Sequence, residues 1–176
     1  MKWFWKRRAV NAPVHPVVRV HEVALAQTLA ALQSFGDAEG PHEGIVYWAG
    51  RATDTDWVVT TVIVPDAATT WGSFRTSAAA NARVVALLAN ADLVLLAQVH
   101  SHPGTVVDHS GCDDRDALMP YPEFLSIIVP NYGRAGLWPL DRCGVHRFEH
   151  GRFRRLTNKE VAGTFRCIQG VLGNVR

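Results

Sequence analysis

The sequence LVLLAQVHSHPGTVVDHSGCD, residues 93–113, decides how this chain folds. Its first seven residues form a nearly continuous apolar run, which is typical of a strand buried on both faces. Pro103 cannot donate a hydrogen bond to a neighbouring strand, so it ends that strand. Ser110 is a favourable residue for the N-cap of a helix. The stretch therefore predicts a buried strand, a polar turn and the start of a helix.

Strand and helix patterns alternate on both sides of this stretch. We predict strands over residues 14–20, 45–49, 57–64, 125–129, 137–140, 144–149 and 153–156, and a loop over 65–76. Helices are predicted over residues 22–35 and 77–90, and a capping-box sequence opens a C-terminal helix over 157–172. The apolar stripe of that last helix is Val161, Phe165, Ile168 and Leu172. The predicted fold class is α/β (α+β), with a mixed central β-sheet flanked by helices in a single domain.

Length and composition narrow the class of protein. A chain of 176 residues fits one domain, and 48% hydrophobic with 19% charged residues is a globular composition. A net charge of +2 gives no strong field for nucleic acid, so we expect none as a partner. No apolar run reaches 18 residues, so we expect no membrane span. Three cysteines without a CxxC pair favour the reducing cytoplasm, and they are Cys112, Cys143 and Cys167.

Residues 1–13 are predicted to form a basic and aromatic tail ahead of a domain over 14–176. The tail reads MKWFWKRRAVNAP and lacks the apolar core of a signal peptide. Its rings and positive charges suit contact with a membrane surface or a partner. The alternative is an arm that packs its aromatic side chains on the domain.

Two histidines stand at the end of the predicted buried strand. His100 and His102 are two residues apart, so in an extended chain they point to the same side, about 6.5–7 Å from each other. Two imidazoles so placed can close on one zinc ion, at about 2.0–2.1 Å for each Zn–N bond. A helix that begins at Ser110 would turn Asp113 back toward them as a third ligand. Three protein ligands leave one position open, which is typical of catalytic zinc sites.

A zinc-dependent hydrolase also needs a general base. Glu43 is the candidate, because it stands at the start of a predicted strand beside a glycine that permits close approach; Glu39, in a loop, is the weaker rival. His109 is expected to be a loop residue, since a fourth protein ligand would close the site. Cys112 is expected to be a small helix residue, with a redox-sensitive neighbour of the site as the alternative.

These residues resemble the JAMM (JAB/MPN) metalloprotease family. Its pattern is an upstream glutamate followed by H-[ST]-H-P-x6-S-x2-D, and the matching residues here are Glu43, His100, Ser101, His102, Pro103, Ser110 and Asp113. The resemblance spans about residues 14–156, and the compact size is similar to the bacterial branch. It implies an MPN-like domain in which His100, His102 and Asp113 bind one zinc. It also implies that Glu43 deprotonates the attacking water and that Ser110 stabilises the oxyanion.

The same resemblance implies a class of substrate. Members of the family cleave the isopeptide or peptide bond after the C-terminal glycine of ubiquitin or a ubiquitin-like protein. Bacterial members often stand in operons with conjugation-pathway enzymes, antiphage defence systems among them. Two alternatives stay open: C-terminal trimming of a ubiquitin-like or sulfur-carrier precursor, and a non-catalytic MPN scaffold that binds partner proteins.

Other metal-site families fit the residues less well. Metallo-β-lactamase sites need an aspartate where Gly104 stands, zinc deaminases need a CxxC pair, and HExxH is absent. Two loops flank the site in sequence, and in them we predict the substrate-contacting residues Trp71, Phe74, Arg75 and Tyr121. The alternative for Trp71 and Phe74 is a small core beneath their loop.

Overall fold

The computed structural model describes residues 15–111, 113 and 117–170. Its strands are β1 (Val17–His21), β2 (Gly36–Asp37), β3 (Gly40–Pro41), β4 (Ile45–Ala52), β5 (Asp56–Ile63), β6 (Ala67–Thr70), β7 (Ser73–Thr76), β8 (Val94–Ser101), β9 (Leu125–Val129), β10 (Gly144–Glu149), β11 (Arg152–Arg155) and β12 (Phe165–Ile168). Eight of them form one mixed sheet in the order β11-β10-β9-β8-β4-β5-β1-β12. The pairs β2–β3 and β6–β7 form two small separate sheets.

Helices cover both faces of the large sheet. They are α1 (Glu22–Ser34), α2 (Ala78–Asn90) and α3 (Asn158–Thr164). Leu25 and Leu32 of α1 are buried in one apolar cluster, and Val84 and Leu88 of α2 are buried in another. The predicted fold class, a mixed sheet flanked by helices, is thus confirmed. None of the helices in the described part of the chain is both long and apolar enough to cross a membrane.

The strand β8 lies at the centre of the sheet and carries the first histidine. It runs antiparallel to β4, with Ile45 opposite His100, and parallel to β9, with Ile128 opposite His100. The side chain of His100 is completely buried. Because the carboxyl ends of parallel strands meet at one edge of a sheet, the segments that follow β8 and β9 lie side by side there.

The C-terminal helix is shorter than the sequence predicts. The capping box is present, but the helix ends at Thr164, and the next four residues form β12, parallel to β1. The predicted helix is therefore wrong over Phe165–Ile168, where Phe165 is buried as a strand residue and Ile168 is partly exposed. Phe165 pairs with Val18, and this pairing overrides the helical spacing. Leu172 lies outside the described residues, as do the predicted tail at 1–13 and Cys112.

Two shorter predictions are also wrong. The predicted loop over 65–76 contains the hairpin β6–β7, whose Ala, Thr and Ser residues show no apolar alternation. The predicted strand over 137–140 is irregular: a cis peptide bond joins Trp138 to Pro139, and a 3₁₀ turn follows at Leu140–Arg142. Leu137 and Leu140 are buried in the core, so these residues are apolar because they pack there and not because they form a strand.

Glu160 in the capping box of α3 gives the fold a pH dependence. It accepts a hydrogen bond from the Thr157 amide at 2.8 Å and pairs with Arg154 at 2.9 Å. The Arg154 hydrogen bond, with those from Thr157, lowers the pKa of Glu160 from 4.5 to about 2. The carboxylate therefore stabilises the fold above pH 4.5, and its contribution is lost as the pH falls toward 2.

We expect Glu160→Gln to lower the free energy of unfolding at pH 7 by about 0.5–1 kcal/mol, as for exposed ion pairs. The difference from the native protein should shrink as the pH falls from 4.5 toward 2. Urea unfolding at pH 7 and pH 3 measures both quantities. Glu39→Gln, which changes an exposed acid in the β2–β3 turn, is the matched control. A difference that does not depend on pH would contradict the charge-based explanation.

Candidate metal centre

Three side chains predicted as metal ligands converge at the end of β8. Nε2 of His100 lies 3.2 Å from Nε2 of His102 and 3.4 Å from Oδ1 of Asp113. Nε2 of His102 lies 3.7 Å from Oδ2 of Asp113. The three ligand atoms all lie within 4.8 Å of one another, so one ion can contact all of them.

Local hydrogen bonds hold these side chains in place. His102 follows β8, and its amide donates to the carbonyl of Val129 at the end of β9. Asp113 is in helical conformation after Ser110, whose Oγ accepts from the Asp113 amide at 3.2 Å. The Ser110 amide in turn donates to Oδ2 of Asp113 at 2.7 Å. The predicted N-cap is confirmed, and it turns the aspartate toward the histidines.

Burial and charge give His100 and Asp113 the protonation states that a metal requires. Burial lowers the pKa of His100 to about 3, so this imidazole is neutral. The centroid of the Phe74 ring lies 5.2 Å from that of the His100 ring. Burial alone would raise the pKa of Asp113, but His102, His100 and the groups of Ser110 outweigh it and hold that pKa below its ordinary value. A neutral imidazole and a carboxylate are the forms that bind metal ions.

The donor set fits zinc. Two ligands at about 2.0–2.1 Å from one tetrahedral ion lie about 3.3–3.4 Å apart. Here Nε2 of His100 lies 3.2 Å from Nε2 of His102 and 3.4 Å from Oδ1 of Asp113, while the other carboxylate oxygen, Oδ2, lies 3.7 Å from Nε2 of His102. Nδ1 of His102 lies 3.0 Å from the carbonyl oxygen of Val106. A proton on Nδ1 makes that hydrogen bond and leaves the Nε2 lone pair for the metal. Imidazole nitrogens and carboxylate oxygens are both common ligands of zinc in proteins.

Glu43 lies beside this ligand cluster. Ile45 pairs with His100, and the next residues, Gly44 and Ser101, hydrogen-bond to each other. Continuing this register by one more residue sets Glu43 beside His102. The Phe35 ring packs against Gly44 so closely that a Cβ at this position would lie 2.2 Å from it, so the packing requires a glycine.

Glu43 is buried, with 7% of the residue's surface exposed. Burial raises its pKa to about 7; the charge of His102 opposes this rise, and that of Asp113 adds to it. Its backbone amide donates to the carbonyl of Thr70 at 2.8 Å, which ties it to the end of β6. A carboxyl group with a pKa near neutrality can both take up and release a proton at physiological pH.

A cleft of about 600 Å³ leads to the cluster. One wall is the β6–β7 hairpin, with Trp71, Gly72, Ser73 and Phe74, and the other is the segment after β8, including His102, Pro103, Gly104 and Val106. Glu43, Ser110 and Asp113 also line it. The cleft is therefore open to a ligand at the place where the proposed base and the metal ligands meet.

The four predicted substrate contacts occupy different places. Trp71 and Phe74 line the cleft, and Trp71 is 72% exposed. Arg75 is not among the residues that line the cleft, and it lines a separate groove beside α2. Tyr121 is partly buried against the core near the start of β8, where its hydroxyl donates to the carbonyl of Leu95 at 2.8 Å. It does not line the cleft.

A buried polar row behind the cluster is not apparent from the sequence. Gln98, which lines the cleft, donates to Ser126 at 3.0 Å, and Nε2 of His109 lies 2.8 Å from the same hydroxyl. The His109 ring also stacks on His146 at 4.2 Å. His109 is thus directed into the sheet and is not part of the ligand cluster. The polar interruption of an apolar strand at Gln98 is the one sequence signal that could have indicated this row.

The comparisons with known proteins agree with this site. Residues 25–140 match the family of prokaryotic homologs of the JAB domain. The chain belongs to this family. The matched range includes Glu43 and all three residues of the ligand cluster, so the JAB-domain resemblance seen in the sequence is confirmed.

Two individual proteins are also similar to this chain. The chain is 34% identical over 113 residues to the probable metalloprotease y4jG of Sinorhizobium fredii, a match that covers 60% of this chain and 65% of that relative. The chain thus spans less than two thirds of the relative's length. The solution structure of protein DSY2949 from Desulfitobacterium hafniense is similar in fold, with a TM-score of 0.64 and 16% identity. That similarity covers 88% of this chain and 95% of the other.

Proposed function

We propose that this protein is a zinc-dependent isopeptidase or peptidase that hydrolyses the bond after the C-terminal glycine of a ubiquitin-like protein. The observation that carries the proposal is the meeting of His100, His102, Asp113 and Glu43 at the inner end of one cleft. Membership of the JAB-domain family supports hydrolysis, as does the relative named a probable metalloprotease.

The residues of the cleft divide the chemistry between them. A zinc ion held by the three ligands would polarise the scissile carbonyl and lower the pKa of water. Glu43 takes the proton of the attacking water on its carboxylate and delivers it to the leaving amine. The hydroxyl of Ser110 donates a hydrogen bond to the oxyanion that develops on the carbonyl, a contribution that is often large in hydrolysis.

The shape of the cleft supports a narrow, extended substrate. The hairpin residues Trp71 and Phe74 face the segment from His102 to Val106, so a polypeptide end would run between two walls. A glycine at the cleaved position adds no side chain beside the metal ligands. We propose that the cleft holds the flexible tail of a ubiquitin-like protein in this way.

The cellular setting is a proposal by analogy with bacterial members of the family. We infer deconjugation in the cytoplasm by a protein that is encoded in a ubiquitin-like conjugation operon or an antiphage defence operon. Trimming of a ubiquitin-like or sulfur-carrier precursor uses the same bond and the same site. A non-catalytic scaffold is the weaker alternative, because such a role does not require a base beside a complete ligand set.

Cleavage of defined probes tests the proposal. The probes are ubiquitin with a fluorogenic amide on its C-terminal glycine, an isopeptide-linked ubiquitin dimer and a linear ubiquitin fusion; a ubiquitin-like protein encoded beside the gene replaces ubiquitin where one exists. We expect cleavage that a zinc chelator abolishes and one equivalent of zinc restores. Changing the terminal glycine of the probe to valine should abolish it. Cleavage that resists the chelator, or equal rates for glycine and valine, would contradict the proposal.

The choice of probe separates the two enzymatic alternatives. Faster cleavage of the isopeptide-linked dimer supports deconjugation, whereas cleavage confined to the linear fusion supports precursor trimming. One bound zinc without cleavage of any probe supports the scaffold.

A further inference from the structure

A left-handed turn follows β9 beside the cleft. Asn131, Tyr132 and Gly133 have φ values of 53°, 53° and 76° in succession. Glycine adopts this conformation freely and asparagine tolerates it, but a tyrosine is strained there. Strained residues persist where their surroundings hold them, and they concentrate at functional sites. Contacts with the surrounding structure must therefore hold this turn in place.

Hydrogen bonds attach this turn to the segment that carries the ligand His102. The Tyr132 amide donates to the His102 carbonyl at 2.9 Å, and the Asn131 amide donates to the Gly104 carbonyl at 2.9 Å. On the opposite side, Nε2 of Gln33 in α1 donates to the Gly133 carbonyl at 2.9 Å. The turn is thus fixed to the metal-ligand wall of the cleft and to α1.

The side chain of Tyr132 reaches the other wall. Its hydroxyl donates to the carbonyl of Trp71 at 2.6 Å, at the end of the β6–β7 hairpin. The hairpin is a two-stranded sheet separate from the large one, so its end depends on such side-chain links. At the base of the cleft, the hairpin is tied by the bond from the Glu43 amide to Thr70 and by a 3.1 Å contact between Nδ1 of His42 and Oγ1 of Thr69. Tyr132 joins the other end of the hairpin to the metal-ligand wall.

We propose that Tyr132 is a positioning residue that fixes the Trp71 end of the hairpin across the cleft and so sets how tightly an extended polypeptide is held there. The strained turn serves to aim this hydroxyl, because it presents the ring from the metal-ligand wall toward the hairpin. The effect on polypeptide binding rests on the proposed function, whereas the fixing of the hairpin does not.

Hydrogen exchange of Tyr132→Phe tests the fixing of the hairpin without any substrate. Loss of one hydrogen bond should raise amide exchange across residues 67–76 by roughly fivefold. Gln33→Ala is the matched control, because it removes one hydrogen bond from the same turn on the side away from the hairpin. The two backbone bonds from the turn to His102 and Gly104 remain in this variant, so its exchange over residues 67–76 should equal that of the native protein. Unchanged exchange in Tyr132→Phe, or an equal rise in both variants, would overturn the proposal.

Kinetics with the fluorogenic ubiquitin probe test the consequence for binding. We expect Tyr132→Phe to raise KM by about three- to tenfold and to leave kcat within about twofold, since the change removes positioning and no reacting group. Gln33→Ala should change neither value, and both variants should bind one zinc. A fall in kcat with unchanged KM would overturn the binding role. Faster hairpin exchange in a protein that cleaves no probe would uphold the fixing of the hairpin and reject the proposed function.

Discussion

Glu43→Gln is expected to lower kcat/KM by about 10²- to 10⁴-fold, the range that a general base contributes. Glutamine keeps the size and the hydrogen-bonding capacity of the side chain, but it cannot take a proton from water. Glu43 is not one of the three clustered ligands, so the variant should bind zinc as the native protein does. Cleavage of the fluorogenic probe and zinc content by mass spectrometry measure the two quantities.

The pH dependence supplies a second readout for Glu43. The base must be a carboxylate, so the rate should rise as the pH increases through its pKa, which is about 7 without metal. A bound cation favours the carboxylate, so the rise should lie at or below pH 7. The free energy of unfolding has the opposite pH dependence. Because folding raises the pKa of Glu43, the metal-free protein loses stability as the pH increases from 4.5 to 7. The metal-free Glu43→Gln protein should therefore be at least as stable as the native one at pH 8.

The control for this substitution is Glu39→Gln, which removes an exposed acid from the β2–β3 turn and should keep full activity. Full activity in Glu43→Gln would reject its assignment as the base. Loss of zinc from Glu43→Gln would instead make Glu43 a metal ligand. Both outcomes can be told apart from misfolding by urea unfolding of the same samples.

The ligand cluster could be predicted from the sequence because its geometry is mostly local. His100 and His102 share one side of one strand, and the Ser110–Asp113 pair is a helix N-terminus with its own hydrogen bonds. Glu43 lies about sixty residues from them in sequence, but the strand that follows it pairs with β8. Periodicity indicated both of those strands, but β5, β6, β7 and α2 lie between them in sequence, so their pairing could not be predicted from adjacency. The place of Glu43 beside the cluster is instead implied by the family resemblance.

Features that depend on distant contacts could not be predicted. The segment Phe165–Ile168 has helical spacing with Val161, but it pairs with β1 from the other end of the chain. The bond from Tyr132 to Trp71 joins residues 61 positions apart, and no local pattern indicates it. Tyr121 follows Asp113 closely in sequence, which favours a place near the site. Its ring instead lies beside Trp57, with the two ring centroids 6.1 Å apart, and its hydroxyl bonds near the start of β8.

His102→Ala and Asp113→Asn are expected to weaken zinc binding by more than about 100-fold and to abolish cleavage. Changes in groups that only support a ligand cost about 10- to 100-fold, so loss of a ligand should cost more. His102 is chosen over His100 because its side chain is partly exposed, whereas His100 is completely buried and its removal leaves a cavity. Asparagine at position 113 can still accept from the Ser110 amide, so the helix N-terminus should be kept.

Thermal unfolding with and without zinc measures binding independently of cleavage. At a free zinc concentration 100 times Kd, binding stabilises a protein by about 2.7 kcal/mol, so the native protein should melt several degrees higher with zinc. The increase should vanish in both variants and persist in His150→Ala, which removes an exposed histidine from the β10–β11 turn. An undiminished increase in His102→Ala would place the bound zinc elsewhere, and the hydrolase assignment would then lose its chemical basis.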